Sequence, residues 1–249
     1  MNSNLLKFIQ KQLFAQEDIS SLVFFRISFG LLMFWEVIRF FYHGWVEHLY
    51  AKPEFHFKYE WFTWVEAWPG NGMHIHFALL GVLALFITFG FFYRIASFFF
   101  FIGYTYVFLI ERALYNNHYY VICLLSFLLF LAPLHRSFSI DALRKKVVKS
   151  DKLPALWLWL FRLEMGIVYF YGGLAKLDRD WLNGNAPEAL LRIATFETPL
   201  AQLMEWKAVP VIYGWSGLIF DLIIPFLMLW KRTRIPAFIM AVFFHVHNY

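Results

Sequence analysis

The chemistry in this sequence is concentrated in one stretch, Val168-Tyr-Phe-Tyr-Gly-Gly-Leu-Ala-Lys176-Leu-Asp-Arg-Asp-Trp181. An apolar helix runs into two glycines there and then sets a lysine at the edge of a membrane. A lysine so placed is costly unless it lines a cavity or snorkels out to water. Desolvation disfavours the ammonium form, so a cavity lysine is expected to supply a neutral amine able to act as a base near pH 7. Tyr169, Gly172, Gly173 and Lys176 share one helical stripe. The glycines permit close approach of a neighbouring helix or of a flat ligand. A stripe of Tyr, Gly and Lys suits a quinone-like ring better than it suits lipid. The plainer alternative is an interfacial lysine that snorkels to water with Asp178 and Asp180 as its partners, and composition alone slightly favours it.

Other side chains invite the same double reading. Asn116-Asn117-His118 opens an apolar run. One asparagine there is an ordinary helix N-cap, which leaves His118 unexplained at the membrane level expected for Lys176. A neutral imidazole beside a lysine could accept its proton, although a hydrogen-bonded packing histidine is the commoner case. His74-Ile-His76 and His245-Val-His247-Asn248 hint at metal, since imidazole suits Zn, Cu or Fe. Residues i and i+2 of a helix point about 200° apart, so neither pair can chelate from regular helix, and no metal is expected. Arg26, Glu36, Arg39, Arg162, Glu164 and Asp221 fall inside apolar runs, where charges must pair or line a cavity. A structural ion-pair network is the favoured reading for Arg26, Glu36 and Asp221. Cys123 stands alone, which excludes an internal disulfide and a Cys-based metal cluster, and it reads as a small buried residue. Walker, Gly-x-Gly-x-x-Gly, Gly-x-Ser-x-Gly and Cys-x-x-Cys patterns are missing, so nucleotide-driven and serine-hydrolase chemistry find no support.

The elements that must position these residues are membrane helices. Of the 249 residues, 61% are hydrophobic, 22% aromatic and only 16% charged. The apolar residues come in runs of about 20, the length that crosses a bilayer as helix. The alternation of a transmembrane β-barrel is missing. The expected fold class is an all-α membrane protein, a polytopic helical bundle forming one transmembrane domain over residues 1–249. Spans are expected near 21–42, 74–93, 95–112, 118–134, 155–175, 208–230 and 235–249. The seventh has too few residues to cross, which suggests a chain cut inside that helix. Residues 1–21 are polar and charged, unlike a cleavable signal.

Lysine and arginine set the orientation. Lys7 and Lys11, Arg94, the run Arg136 to Lys152, and Lys231 to Arg234 fall on alternate loops. The positive-inside rule makes that side cytoplasmic, with the N-terminus. The intervening loops are more acidic. Lys176 and every histidine except His135 then gather at the extracytoplasmic face. The net charge of +5 reads as solvated cytoplasmic loop, and no nucleic-acid partner is expected.

Several blocks are similar to a known family. Tyr93-Arg-Ile-Ala, Tyr106-Val-Phe-Leu, Tyr115-Asn-Asn-His118, Ile167-Val-Tyr-Phe170, Lys176-Leu-Asp-Arg-Asp-Trp181 and Phe244-His245 resemble, in order and spacing, the vitamin K-dependent γ-glutamyl carboxylase family and its bacterial relatives. Ser21-Leu-x-x-Phe-Arg26-x-x-Phe-Gly30 resembles the start of that membrane domain, so the resemblance covers about Ser20 to Tyr249. It implies that reduced vitamin K, a hydroquinone, is deprotonated and attacked by O2. The strong base formed removes a γ-proton from a protein glutamate, CO2 adds, and the quinone leaves as its epoxide. Menaquinol from the quinone pool is the bacterial counterpart. Lys176 is then implied as the initiating base and His118 as a catalytic neighbour. The resemblance also implies Asn117 beside the hydroquinone and requires no metal, and Tyr169, Gly172 and Gly173 of the stripe, with His245 and Asn248, are the further expected hydroquinone contacts.

The chain departs from the family in three ways. Ala175 stands where the animal enzymes carry a second lysine, and the animal disulfide cannot form with Cys123 alone. The extracytoplasmic β-rich domain that docks the peptide substrate is missing from the sequence. A carboxylase-type hydroquinone epoxidase is the expected function. Its competitors are a non-catalytic quinone- or lipid-binding or transport module, and a metal-dependent membrane oxidoreductase.

Overall fold

The structure is a computed structural model, and it describes residues 10–195 and 206–247, apart from the side chains of residues 194, 195 and 247. The chain forms two compact units, Met1–Phe161 and Arg162–Tyr249.

The first unit opens with strand β1 (Gln16–Asp18), which pairs antiparallel with β2 (Lys152–Pro154) in the register Gln16↔Pro154. The Asp18 carboxylate accepts the Ser20 N–H at 2.7 Å, and the Ser20 side chain together with that N–H holds its pKa below the usual carboxylate range. Helix α1 (Ser20–Tyr42) follows, then a π-helical turn at Glu47–Ala51, α2 (Gly72–Phe89), α3 (Tyr93–Ile110) and α4 (Asn117–Leu131). These four apolar helices sit where the first four spans are expected. Gly30 lets α1 and α2 touch, because a Cβ there would lie 2.7 Å from the Ala84 carbonyl oxygen.

Polar groups tie the turn between α2 and α3 to the segment after α4. Gly90 ends α2 in the left-handed region at φ 61°, a glycine C-cap. Its missing Cβ leaves room for Arg26, whose Nη1 would otherwise be 2.8 Å from it. Arg26 is fully buried. Its guanidinium donates to the carbonyls of Leu134 at 2.9 Å and Phe138 at 2.6 Å, with longer contacts of 3.5 Å to Ser137 and Thr88. Short helix α5 (Ile140–Leu143) brings Asp141, whose carboxylate accepts the N–H groups of Phe92 at 3.0 Å and Tyr93 at 2.9 Å and so caps α3 from another element.

Helix α6 (Ala155–Ala175) carries the chain across the boundary between the units. In the second unit α7 (Arg179–Leu182), α8 (Asn185–Thr195), α9 (Ala208–Leu229) and α10 (Arg234–His247) follow. Phe220, Ile224, Ala237 and Ala241 form the core between α9 and α10, with Tyr169 and Phe244 packed against it.

Among the described residues four helices are long and apolar enough to cross a membrane: α1, α2, α3 and α9. α4 and the Arg234–Val246 part of α10 are apolar but shorter. α6 has 21 residues yet is outside the four. Its polar content, Arg162 and Glu164 included, lowers its mean hydropathy. The protein is thus an all-α, multi-pass membrane protein, with a helix at each of the seven expected places.

Candidate functional site

Helix α6 turns one stripe toward α9 and α10, and the chemistry of the second unit collects there. Lys176 lies just past the end of α6, its N–H bonded to the Gly173 carbonyl at 3.0 Å. Its Nζ donates to Asp221 Oδ2 on α9 at 2.5 Å and more weakly to the Gly172 carbonyl at 3.4 Å. The side chains are 22% exposed for Lys176 and 10% for Asp221, so the pair is largely withdrawn from solvent. The indole of Trp181 covers the ammonium at 5.2 Å. That indole is itself fixed by Nε1 donating to the Gly214 carbonyl at 2.9 Å.

This pairing corrects one sequence expectation. Asp178 and Asp180 do not partner the lysine. Asp178 caps α7, accepting from Asp180 N at 2.8 Å and Trp181 N at 3.0 Å, and Asp180 accepts from Asn185 at 3.1 Å. Arg26, expected in an ion pair, is held by backbone carbonyls instead, whereas Glu36 bonds Arg39 at 2.8 Å and Asp221 holds Lys176, as ion pairing of those two charges requires. The physical cause of the Lys176 pairing is helix rotation. Asp221 lies on the buried face of α9 with Gly214, Gly217 and Leu218, a face that an apolar sequence does not mark.

One signal in the sequence pointed to Asp221. Pro225 follows it by four residues inside α9. Proline has no N–H to give to the carbonyl four residues back, so the helix is weakened at the residue that holds the lysine.

The glycines divide their duties. A Cβ on Gly173 would meet Leu222 Cδ2 at 2.7 Å, so Gly173 serves helix contact. A Cβ on Gly172 would stand 3.5 Å from Asp221 Oδ2, so Gly172 keeps space beside the carboxylate. Gly217 on α9 would place its Cβ 4.0 Å from Lys176 Cε, Trp181 Cζ2 and Phe244 Cζ, and forms an uncrowded floor. One turn before Gly172 on the same stripe, the Tyr169 hydroxyl and His245 Nε2 form a hydrogen bond of 2.5 Å. Phe220 and Phe244 stack beside them, with ring centroids 3.9 Å apart. The second unit thus brings together Tyr169, Gly172, Gly173, Lys176 and His245 from the expected set, and adds Asp221, Trp181 and Gly217. Asn248 lies outside the described residues.

Asn117 and His118 belong to the first unit, on the exposed first turn of α4. Asn116 is the N-cap there, its Oδ1 accepting the His118 N–H at 2.8 Å and lying 2.9 Å from His118 Nδ1. The paired histidines of α2 diverge as the helical period requires. His74 approaches Glu47 at 3.6 Å, whereas His76 Nε2 meets the Gly103 carbonyl at 3.0 Å. Among the described residues no three His, Cys, Asp or Glu side chains converge on a point that could hold a metal.

The first unit also encloses a cavity of about 30 Å³ lined by Glu36, Tyr50, Tyr104 and Tyr119 among apolar side chains.

These features define a class: a multi-pass helical membrane protein with a lysine–carboxylate pair and a tyrosine–histidine pair set on glycine-lined helices. The chain belongs to the HTTM domain family, whose model matches residues 14–249. HTTM is the membrane domain of vitamin K-dependent γ-carboxylase, in agreement with the resemblance carried by the sequence blocks. No solved structure matches the chain.

Proposed function

We propose that the protein oxidises a membrane hydroquinone, reduced vitamin K or menaquinol, to its epoxide with O2, and that Lys176 is the base that removes the first phenolic proton. The atoms balance as hydroquinone plus O2 giving epoxide plus water. The observation that carries this reading is the hydrogen bond of 2.5 Å between Lys176 and Asp221 in a largely buried setting. A lysine withdrawn from solvent beside a carboxylate has a partner within hydrogen-bond distance able to take its proton, whereas a snorkelling lysine exchanges its proton with water.

The residues present fit a quinol. Tyr169 and His245 offer a second hydroxyl and imidazole for a ring oxygen. Gly172 and Gly217 keep side-chain bulk away, and Trp181, Phe220 and Phe244 provide aromatic surface. Family resemblance adds His118 as a proposed catalytic residue and Asn117 as a proposed quinol contact, and Asn248 is proposed as a further contact. Coupling to CO2 addition at a protein or peptide glutamate belongs to the family's reaction and is proposed here as the second half-reaction.

The same ion pair favours one rival, a quinone- or lipid-binding or transport module in which Lys176 and Asp221 simply neutralise each other. Full-length protein supplied with reduced vitamin K or menaquinol under O2 decides between them. Epoxide formation lost in Lys176→Arg supports the enzyme. Equal turnover in wild type and variant removes Lys176 as the base, and no turnover in either favours the module.

The basic loops are proposed to face the cytoplasm and the Lys176 site the opposite side. In a Cys123→Ala background, an impermeant thiol reagent applied to intact cells is expected to label Asn183→Cys and to spare Lys146→Cys. The reverse pattern overturns the orientation.

A further inference from the structure

We infer that Asp221 acts through Lys176 as its proton acceptor, taking the Nζ proton as the amine takes the proton of the hydroquinone. The inference rests on the quinol-oxidising reading and deepens it. Lys176 has three N–H positions. One points to Asp221 Oδ2 at 2.5 Å and a second to the Gly172 carbonyl at 3.4 Å. The third has no protein acceptor among the described residues, and it is the position open to a phenolic oxygen. An ammonium, however, is no base. It must first lose a proton, and in a largely buried site that proton needs a receiver within hydrogen-bond distance.

Asp221 is that receiver. Its residue is 7% exposed, and no hydrogen-bond donor other than Lys176 Nζ approaches its carboxylate among the described residues. The transfer balances. At the start the pair is ammonium and carboxylate, and the quinol is neutral. The Nζ–H bond to the shared proton breaks and an O–H bond forms on Asp221, leaving a neutral amine. The amine turns about its Cε–Nζ bond so that its lone pair faces the phenol and takes the phenolic proton: the phenol O–H breaks and an N–H forms. The products are ammonium, carboxylic acid and phenolate. The summed charge is zero at every stage and no electron has moved. That neutrality matters because a lone charge in a site of low dielectric is heavily penalised, whereas a compensated set is not. Gly172 fits this role, since any side chain there would grow toward Oδ2. The other titratable groups facing the site, Tyr169 and His245, are engaged with each other.

The test separates this positioning role from the activity itself. Full-length protein in lipid nanodiscs is mixed with menaquinol under argon, so that binding and proton transfer proceed without oxidation. Infrared difference spectra are recorded and bound quinol is measured on the same samples. Wild type is expected to gain the carbonyl stretch of a protonated carboxyl. Asp221→Asn loses that band while still binding quinol, Asp221→Glu shows it at a shifted frequency, and Glu36→Gln keeps it unchanged. Under O2, Asp221→Asn is expected to lose about 100-fold in kcat with little change in KM, and Asp221→Glu to recover part of it. Quinol bound by wild type with no carboxyl band, or a band that persists in Asp221→Asn, overturns the role of Asp221 and leaves the oxidase reading standing. If Asp221→Asn does not fold, an unshifted band in Asp221→Glu overturns it equally. Wild type that binds no quinol sinks both.

Discussion

The two units bury a cation in opposite ways. In the first, Arg26 is fully enclosed and its guanidinium is met by backbone carbonyls of Thr88, Leu134, Ser137 and Phe138. None of those acceptors can take a proton, and arginine cannot give one up. The arrangement has one protonation state, and its work is to fasten the segment after α4 to α1 and α2. In the second, Lys176 is met by a carboxylate at 2.5 Å. The acceptor here is a side-chain carboxylate in place of a backbone carbonyl. A buried arginine held by carbonyls has no neighbour that could take a proton, whereas a lysine held by a carboxylate has one within hydrogen-bond distance. On the proposed function, that difference is what sets the Lys176 site apart from the Arg26 site.

The strongest way to break it is Lys176→Arg. Arginine keeps the charge and can still pair with Asp221, but it cannot serve as a base. Quinol turnover is expected to fall by about 10²–10⁴-fold, the usual worth of a general base, with the melting temperature in detergent near that of wild type. Unchanged turnover would make the lysine a clamp like Arg26.

The next largest effect lies in the first unit. Arg26→Met leaves several buried carbonyls without donors and should cost about 3 kcal/mol or more. Phe138, whose carbonyl accepts from Nη2, sits at φ 45°. That unfavourable conformation is retained only while its surroundings hold it. The melting temperature is expected to drop steeply, while turnover per folded molecule is unchanged. Normal stability in Arg26→Met would show that the clamp does nothing.

How much of this was legible in the sequence depends on what fixes each feature. The helices are legible because apolar run length and bilayer thickness are tied: the run near 21–42 is the helix Ser20–Tyr42, and the run near 208–230 is Ala208–Leu229. Lys176 stands out because lysine is expensive in an apolar run. The pairing of Lys176 with Asp221 was not legible. Lipid-facing and protein-facing sides of a membrane helix are both apolar, so the pattern that fixes helix rotation in a soluble protein is weak here. Arg26 was visible as a charge inside a span, but its partners were not, because carbonyls belong to every residue alike. Gly173 was legible only as small, and its duty toward Leu222 needed the structure.

A smaller effect sharpens the picture of the first unit by pH. His135 is buried against Tyr93, with ring centroids 5.1 Å apart, and its Nδ1 has no hydrogen-bond partner among the described residues. Burial, helped by the Arg94 charge, lowers its pKa from 6.5 to about 4. The unfolded chain therefore binds a proton below pH 6.5 that the folded chain refuses until about pH 4. Stability is full above that window and falls as pH drops through it, by on the order of 1–2 kcal/mol at pH 5. Melting curves across the window should slope for wild type and flatten for His135→Phe. Equal slopes would show that another group carries the acid sensitivity.

The smallest expected effect makes the sharpest comparison, because the same substitution is applied in both units. Asp141 accepts from the N–H groups of Phe92 and Tyr93 at 3.0 and 2.9 Å, and Phe92 is held at φ 44°. In Asp141→Asn one of those two N–H groups faces an amide NH2 in place of an oxygen, and the favourable charge at the start of α3 is lost. A cost of about 1 kcal/mol follows, read as a modest drop in melting temperature with quinol turnover intact. Asp221→Asn is expected to do the converse, sparing the fold more than the chemistry. The carboxylate of Asp141 meets backbone N–H groups that never release a proton, whereas that of Asp221 meets an amine that can. If Asp141→Asn reduced turnover as much as Asp221→Asn, the division between clamp and proton-transfer device would fail, and the activity would depend on electrostatics shared by the whole bundle.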